Sequence, residues 1–290
     1  MSGATGSVIA VHRGECEVVR DGEVLALRWG GRRAGPAPEL AIGDEVAFDP
    51  ARRVVLDVLP RRTRLARLRP RFPGREHVLV ANADRLVIVA SVDDPPFRPG
   101  AVDRFMLAAF AGGLEPILAV NKVDLLEGGP PPEIAAYAEV LPLHWVCATR
   151  GDGLEALRPA LRGARSVLAG HSGVGKSSLV NALRPELRLA TGRVTRHGRG
   201  RHTTARSEWI QLEPGSVVID TPGVRSIAGA PGAIALIDRV YPDVARHAAG
   251  CRFSDCAHAA EPGCAVRAAA EAGELSPARL RAFRRLAADP

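Results

Sequence analysis

The sequence predicts an α/β protein whose central domain is built on a mostly parallel sheet, with a small β-barrel before it and a helical domain after it. Three observations predict this arrangement. Five short β-rich segments occupy the first 60 residues, and from Asp84 onward apolar strands alternate with helices, which is typical of a parallel sheet covered on both faces. Beyond residue 229 the pattern becomes helical, and three of the five cysteines lie there. The predicted divisions are residues 1–60, 61–83, 84–228 and 229–290.

The first division predicts a closed barrel of short strands. Asp21-Gly22 separates the second and third segments and is a strong hairpin signal. Five strands in so short a segment match an oligonucleotide-binding (OB) fold, and an SH3-like barrel is the alternative. The expected strands are residues 7–12, 16–20, 24–29, 44–48 and 54–58. The arginine-rich segment 61–83 is expected to be a linker or an exposed loop.

The charge of the chain suggests a polyanionic partner. The formal charge is +7, and only two of the 39 basic residues are lysines. Arginines concentrate at 61–75 and 193–206, so nucleic acid is the leading candidate, and a general drift toward arginine is the alternative. Aromatic residues make up only 4%, which favours phosphate contacts and shape recognition. Because no apolar run reaches the roughly 18 residues that span a bilayer and no secretory signal is visible, we expect a cytoplasmic protein.

The central division shows the alternation of strands and helices in detail. Parallel strands bring their carboxyl ends to one edge of a sheet, where ligands bind in open α/β folds. A β-hairpin is expected around Glu213-Pro214-Gly215, and Ser276-Pro277 predicts the start of the last helix. The other expected strands are 86–92, 116–120, 143–147 and 166–169, and the other expected helices are 102–112, 133–141, 154–161 and 176–183.

The segment from Gly170 to Ser177 fits the phosphate-binding pattern G-x-x-x-x-G-K-[ST] and lies between a predicted strand and a predicted helix. Glycines let successive backbone N–H groups face phosphate oxygens, and the helix N-terminus adds its dipole. Lys176 would reach the β and γ phosphates, and the Ser177 hydroxyl would coordinate Mg²⁺. A chance match in a glycine-rich loop is the alternative. The candidate binding residues are Gly170, His171, Ser172, Gly173, Val174, Gly175, Lys176, Ser177 and Ser178.

Asp220-Thr221-Pro222-Gly223 follows another predicted buried strand. The Asp220 carboxylate would therefore emerge at the edge of the sheet where the phosphate-binding loop lies. We expect Asp220 to hold Mg²⁺ through water and the Gly223 N–H to meet the γ-phosphate. Taken alone, the tetrapeptide would be only a turn.

Asn121-Lys122-Val123-Asp124 closes the predicted strand 116–120. Asp124 can accept hydrogen bonds from guanine N1–H and N2–H₂, which adenine cannot donate, so adenine would leave this carboxylate unpaired. Asn121 would support the loop and the base, and the Lys122 stem would cover the ring. A helix-capping aspartate is the alternative. Cys147-Ala148-Thr149, which closes the next strand, is expected to offer a backbone N–H to guanine O6.

The third division contains a cluster of soft metal ligands with the spacing C-x₄-C-x-H-x₅-C. Four such ligands so close together suit one structural zinc ion with no open coordination position. Disulfides are the alternative, and they are disfavoured in a cytosolic chain that carries further unpaired cysteines. The expected zinc ligands are Cys251, Cys256, His258 and Cys264.

Together these motifs resemble the G4, G5, G1, G2 and G3 elements of translation-factor-type GTPases in circularly permuted order, over residues 84–224. With the barrel before them and the Cys/His cluster after them, nearly the whole chain resembles the RsgA (YjeQ) family of small ribosomal subunit biogenesis GTPases. The resemblance implies a circularly permuted P-loop GTPase domain that uses GTP and GDP, Mg²⁺ and one structural Zn²⁺. Permutation would make the segment after Asp220 lead directly into the C-terminal domain.

The resemblance also implies roles in hydrolysis. Many GTPases place a glutamine after the switch II glycine to orient water, but here that position reads Gly223-Val224-Arg225. By resemblance His202 would orient the water instead, and a phosphate-contacting or solvated loop histidine is the alternative. Thr204, in preference to Thr203, would close on Mg²⁺ when the γ-phosphate is present. The catalytic candidates are therefore His202, Lys176 and Thr204.

The function that the resemblance implies is GTP hydrolysis by a late assembly factor of the 30S ribosomal subunit, with turnover stimulated by that subunit. Expected partners are the 30S subunit and 16S rRNA, contacted by the barrel and the zinc domain of a monomer, with no membrane. A nucleotide-gated RNA-binding protein whose hydrolysis is incidental is the alternative. Asp124 argues against a P-loop ATPase or kinase, and the lack of a lipidation signal argues against a membrane-associated GTPase.

Overall fold

A closed five-stranded barrel forms the N-terminal part of the computed structural model, which describes residues 3–29, 39–68, 76–187, 208–221, 224 and 233–288. The strands follow the order β1-β2-β3-β5-β4, and β4 closes on β1. This is the Greek-key order of an OB fold, so the predicted barrel is confirmed. The strands are β1 (Ala4–Val11), β2 (Glu15–Arg20), β3 (Glu23–Arg28), β4 (Glu45–Asp49) and β5 (Val54–Val58).

An antiparallel hairpin of β6 (Arg64–Leu68) and β7 (Glu76–Ala81) follows the barrel, where a linker or exposed loop was expected. Leu65 pairs with Val80, and both side chains are fully buried. The barrel approaches β7 so closely that a Cβ on Gly43 would lie 2.0 Å from the Ala81 carbonyl oxygen. Part of the arginine-rich segment is therefore a structural joint between the barrel and the central sheet.

The central sheet has six strands in the order β10-β9-β8-β11-β13-β12. All neighbours are parallel except β12 and β13, which form the predicted hairpin. The predicted mostly parallel sheet is thus confirmed. The strands are β8 (Arg85–Ser91), β9 (Glu115–Asn121), β10 (Leu143–Trp145), β11 (Arg165–Ala169), β12 (Glu208–Glu213) and β13 (Ser216–Asp220).

Helices cover both faces of this sheet. α1 (Pro99–Gly112) packs on one face, while α3 (Leu154–Leu161) and α4 (Lys176–Leu183) pack on the other. The helix expected at 133–141 is shorter in the structure, because α2 (Pro132–Ala135) passes into a 3₁₀ turn over 136–139. Pro142 follows shortly afterwards and disfavours helical geometry at the residue before it. Two further 3₁₀ turns lie at 123–125 and 185–187.

The helices described in the C-terminal part share one continuous apolar core with the sheet, and the first and last of them pack on α1. A 3₁₀ turn at 233–236 precedes them. No helix in the described part of the chain is both long enough and apolar enough to cross a membrane. The helices are α5 (Ile237–Val240), α6 (Pro242–Ala248), α7 (Ala265–Glu271) and α8 (Pro277–Ala288).

A buried polar cluster joins α1 to the C-terminal helices, and we call it the Asp103 cluster. Tyr137 and Tyr241 donate hydroxyl hydrogen bonds of 2.7 and 2.6 Å to the two oxygens of the Asp103 carboxylate. Arg279 from α8 lies 4.0 Å from that carboxylate and donates two bonds, of 2.9 and 3.0 Å, to Asp243. Asp103 is completely buried. The contact between α1 and the C-terminal helices therefore depends on Arg279 compensating the charges of the two carboxylates.

Candidate functional site

The predicted phosphate-binding loop connects β11 to α4 and has the backbone that its glycines allow. Gly170, Gly173 and Gly175 have φ angles of +144°, +88° and +94°, which favour glycine. A Cβ on Gly170 would lie 2.2 Å from the Val89 carbonyl oxygen. The buried Lys176 ammonium folds back over the loop and donates to the carbonyls of residues 170 and 171 at 2.7 and 2.8 Å. The loop thus holds its cation at the centre of the turn.

Asn121, at the carboxyl end of β9, ties three loops together. Its Nδ2 donates to the Val174 carbonyl in the phosphate-binding loop at 2.9 Å, and its Oδ1 accepts from the Ala148 N–H at 3.0 Å. The side chain is 2% exposed. A Cβ on Gly175 would lie 2.2 Å from the same Nδ2, so this amide fits only against a glycine. The two predicted motifs therefore meet directly, although they stand far apart in the chain.

Asp124 lies at the surface of the same edge, beside the loop that follows β10. The Cys147 thiol donates to Asp124 Oδ1 at 3.0 Å. This hydrogen bond is the leading factor that lowers the pKa of Asp124, so its carboxylate is ionised at neutral pH. Lys122 has a left-handed backbone with φ of +64° and donates to the Asp94 carbonyl oxygen. Asp124 thus offers an oriented anionic acceptor at this edge, and Lys122 offers an oriented cation.

The segment expected to offer an N–H to guanine O6 is partly engaged within the protein. Cys147 N–H donates to the Asp152 carbonyl at 2.9 Å, and Ala148 N–H donates to Asn121 as described. A guanine O6 at this edge would therefore share the Ala148 donor with the Asn121 amide. Sequence analysis missed this competition because an N–H is present at every residue and its partner depends on the fold.

Two of the expected Mg²⁺ ligands, Ser177 and Asp220, lie at the same edge of the sheet. Asp220 ends β13 and pairs with Leu168 of β11, the strand that leads into the phosphate-binding loop. Ser177 lies in the first turn of α4. A hydroxyl and a carboxylate oxygen are the hard donors that Mg²⁺ prefers, so this pair fits the ion. Glu208 pairs with Asp220 across the hairpin, and burial followed by the Asp220 charge raises the pKa of Glu208.

Several predicted residues lie outside the described part of the chain. Val224 is described, and its side chain is 1% exposed within the main core. Its N–H donates to the Thr221 carbonyl at 3.2 Å. The predicted residues that lie outside are His202, Thr203, Thr204 and Gly223.

The Cys/His cluster has the geometry of a tetrahedral metal site. All four ligand atoms lie within 4.8 Å of one another. His258 Nδ1 is 3.5 Å from both Cys251 Sγ and Cys264 Sγ, and these two sulfurs are 3.9 Å apart. Zinc bonds of about 2.3 Å to sulfur and about 2.1 Å to nitrogen require ligand separations of about 3.6–3.8 Å. The cluster, completed by Cys256, therefore fits zinc, and all five cysteines are free of disulfides.

Two residues that sequence analysis missed support this cluster. Glu261 accepts hydrogen bonds from three backbone N–H groups of residues 257, 259 and 260, at 3.0, 2.8 and 3.0 Å. Arg284 of α8 donates to the His258 carbonyl. His258 itself has a φ of +57°. These bonds restrain the ligand loop, and neither residue's role is visible in the spacing of the ligands.

Three of the seven arginines in the first cluster form ion pairs. Arg61 lies 2.7 Å from the buried Asp44 carboxylate, Arg62 lies 2.9 Å from Asp84, and Arg64 lies 2.9 Å from Glu76. These three arginines hold the joint between the barrel, the hairpin and β8. The concentration of charge in this segment is therefore weaker support for a polyanionic partner than its sequence suggested. The second cluster, 193–206, lies outside the described residues.

Comparison with known proteins finds solved structures with the same overall fold. The solved structure of YjeQ from Thermotoga maritima superposes with a TM-score of 0.75 and 27% identity, covering 98% of this chain and 97% of that one. YloQ, described as a circularly permuted GTPase, gives a TM-score of 0.69 at 27% identity, covering 98% and 93%. The order of motifs along this chain is accordingly that of a circularly permuted GTPase domain.

Sequence relatives extend the likeness over nearly the full length. The small ribosomal subunit biogenesis GTPase RsgA of Gemmatimonas aurantiaca is 37% identical and covers 97% of this chain and 96% of its own. The protein of the same name from Streptomyces avermitilis is 38% identical, over 97% of this chain and 78% of its own. A family model described as RsgA GTPase matches residues 58–229. With its barrel, permuted motifs and Cys/His cluster, the chain belongs to the RsgA GTPase family.

Proposed function

We propose that this protein hydrolyses GTP as a late assembly factor of the 30S ribosomal subunit. The observation that carries the proposal is the pair of buried hydrogen bonds that the Asn121 amide forms. They tie the phosphate-binding loop to the loop of residues 121–124, which we call the base-reading loop. The names of the relatives, small ribosomal subunit biogenesis GTPases, support the biological role. We place the protein in the cytoplasm, as a monomer in contact with 16S rRNA, with domain limits at residues 60, 84 and 228.

In this proposal the residues of the site divide the work between base and phosphates. Asp124 accepts from guanine N1–H and N2–H₂, and Lys122 covers the ring. The glycine N–H groups and Lys176 hold the β and γ phosphates. Ser177 and Asp220, joined by Thr204, would hold Mg²⁺, which would supply positive charge beside the phosphates. The four cysteine and histidine ligands would hold a structural Zn²⁺ in the C-terminal loop.

Hydrolysis requires a group that orients the attacking water. Val224 occupies the position where many GTPases carry glutamine, and its apolar side chain is buried in the core. This position therefore cannot hold water, which supports the assignment of water orientation to His202. Contact of the 193–206 segment with rRNA would bring His202 to the γ-phosphate, and this accounts for stimulation by the subunit.

GTP turnover with and without isolated small subunits tests the proposal. We expect slow turnover alone and stimulation of at least about 10-fold by subunits, since general acid–base groups contribute roughly 10²–10⁴-fold once positioned. His202→Ala should keep GDP binding but lose the stimulation. Lys176→Ala is the control that should lose nucleotide handling altogether. Subunit binding that responds to GTP without any stimulated turnover would instead support the nucleotide-gated RNA-binding alternative.

A second prediction concerns the thiol beside the base-reading carboxylate. Cys147→Ala should weaken GDP binding about three- to tenfold, because Asp124 loses a hydrogen bond that orients its charged form. The pKa of Asp124, which this bond lowers, should rise toward its ordinary value. Since guanine requires the carboxylate, affinity should be lost at a higher pH in the variant as the solution is acidified. Calorimetric titrations with GDP across the acidic range measure both effects.

Cys147→Ser is the matched variant for this prediction because a hydroxyl also donates. It should bind GDP nearly as tightly as the wild type and keep its acid tolerance. Equal GDP affinities for the alanine and serine variants would show that the thiol does not orient Asp124.

A further inference from the structure

The tip of the Cys/His loop carries an aromatic ring that the fold leaves in solvent. Phe253 is 40% exposed, and among the described residues it is the only phenylalanine, tyrosine or tryptophan in the set of exposed large hydrophobic side chains. The Arg252 guanidinium lies over its ring, 5.5 Å from the centroid. A single exposed apolar residue needs no explanation by itself, but a ring paired with a guanidinium plane is a surface of specific chemistry.

The loop beneath this pair is rigid. Arg252 N–H donates to the Gly263 carbonyl at 3.1 Å, and Cys251 N–H donates to the Ala248 carbonyl at 3.0 Å. A Cβ on Gly263, whose φ is +74°, would lie 3.2 Å from Arg252 Cβ, so the arginine stem lies flat against a glycine. Metal binding through Cys251 and the three bonds to Glu261 add further restraint. A preorganised surface loses little entropy when a ligand binds.

The Arg252 guanidinium brings a positive charge to the Phe253 ring. The arginines at the barrel joint form ion pairs with carboxylates. Arg252, by contrast, has no ion pair with any residue that the structure describes. The guanidinium is therefore free to face an anionic partner. Phe253 is also the only exposed large hydrophobic residue within the described span 233–288. A protein partner would need a broader apolar patch as the core of its interface.

We propose that Arg252 and Phe253 form a stacking site for one unpaired base of RNA. Unpaired bases stack on aromatic rings and on arginine planes, and this is the main way in which proteins hold single-stranded RNA. The pair offers both kinds of surface, and the positive charge serves the adjacent phosphate. The inference rests on the proposed function for its partner, the RNA of the small subunit, and adds a defined contact point outside the nucleotide site.

Binding of the full-length, zinc-loaded protein to isolated small subunits, with a non-hydrolysable GTP analogue, tests the proposal. Phe253→Leu keeps the apolar volume but removes the π face, and it should weaken binding roughly 5- to 100-fold, the range for loss of one stacked base. Phe253→Trp should bind within about threefold of the wild type, because its ring stacks equally well.

Metal content and subunit-free GTP turnover should be unchanged in Phe253→Leu, which shows that the loop still folds. Ultraviolet crosslinking should join the peptide containing residues 252–253 to RNA. Normal subunit binding by Phe253→Leu, or crosslinks from this peptide to a ribosomal protein, would overturn the stacking site. If the wild type itself does not bind subunits, the proposed function fails. Binding of a mixed-sequence single-stranded RNA 12-mer, compared between wild type and Phe253→Leu, then decides the stacking site separately.

Discussion

Replacement of Arg279 with methionine is expected to lower the free energy of unfolding by about 3–5 kcal/mol, the range for removing one partner of a buried ion pair. The variant would keep the apolar stem but remove the guanidinium that lies 4.0 Å from the fully buried Asp103 carboxylate. Asp243 would lose two hydrogen bonds at the same time. Two carboxylates would then remain close together in a site of low dielectric without the cation that compensates them.

This destabilisation should be concentrated in the C-terminal helices, since the Asp103 cluster is a contact between them and α1. Hydrogen exchange should accelerate across residues 233–288, while the barrel strands keep their protection. Arg61→Met is the matched control, because Arg61 pairs with the equally buried Asp44 at the barrel joint. In that variant faster exchange should appear in the barrel instead. Uniform loss of protection in both variants would contradict a local role for the Asp103 cluster.

The double variant Asp103→Asn/Arg279→Met separates charge from packing. It removes the uncompensated carboxylate, so it should recover at least about half of the stability lost, as apolar or neutral replacements of buried pairs do. Burial is the leading factor that raises the pKa of Asp103. The folded state then binds more protons than the unfolded state, and stability falls as the pH rises through that raised pKa.

The fall in stability with rising pH should be steeper in Arg279→Met, because the cation that compensates the Asp103 charge is gone. In the double variant the contribution of Asp103 to this fall should vanish. Thermal unfolding measured at a series of pH values gives both comparisons. If the double variant is as unstable as Arg279→Met at every pH, the loss comes from packing rather than from charge.

Local patterns were sufficient to predict the elements that form the nucleotide site. The pattern of residues 170–177 specifies a loop between a strand and a helix, and α4 begins and ends at the predicted residues, 176 and 183. The loops at Asn121 and Asp220 each follow a short run of apolar residues, which marks the end of a buried strand. Since parallel strands end at one edge of the sheet, three separate motifs could be placed together without any knowledge of their contacts.

The β6–β7 hairpin could not be recognised in this way, because its arginines made it look like a solvated segment. Arg61 and Arg62, just before β6, pair with carboxylates from elsewhere in the chain, Asp44 and Asp84, and Arg64 pairs with Glu76 on β7. Leu65, between Arg64 and Arg67, was the local hint of a half-buried strand. Compensation of charge by distant residues is a property of the fold, and composition alone cannot reveal it.

The Asp103 cluster was missed for the same physical reason. Asp103 and Arg279 lie in helices that are far apart in the sequence, and no spacing rule connects them. The available signal was a carboxylate on the face of α1 that also carries Met106 and Val102, which are buried. A charged residue on an apolar helix face implies a partner, but only the structure identifies that partner. Roles of residues outside the described part of the chain, His202 above all, stay predictions.

Replacement of Asn121 with alanine is expected to weaken GDP binding by at least about 30-fold, because two buried hydrogen bonds are lost at once and each is worth roughly 1–3 kcal/mol when a partner is left unsatisfied. The Val174 carbonyl and the Ala148 N–H would both lose their partner. The same loss should lower stability without nucleotide by about 2–6 kcal/mol. Thermal unfolding of the nucleotide-free protein and a GDP titration measure the two effects.

Lys122→Met is the control that separates loop assembly from contact with the base. It should weaken GDP binding while leaving nucleotide-free stability close to the wild type. Asn121→Asp should resemble the alanine variant, because its second oxygen would face the Val174 carbonyl and repel it. If Asn121→Ala unfolds at the wild-type temperature without nucleotide, the amide does not hold the loops. If the variant unfolds at a lower temperature, one side chain of the base-reading loop sets the shape of the phosphate-binding loop. Because this contact is made in space, the two motifs can cooperate whichever of them comes first in the chain.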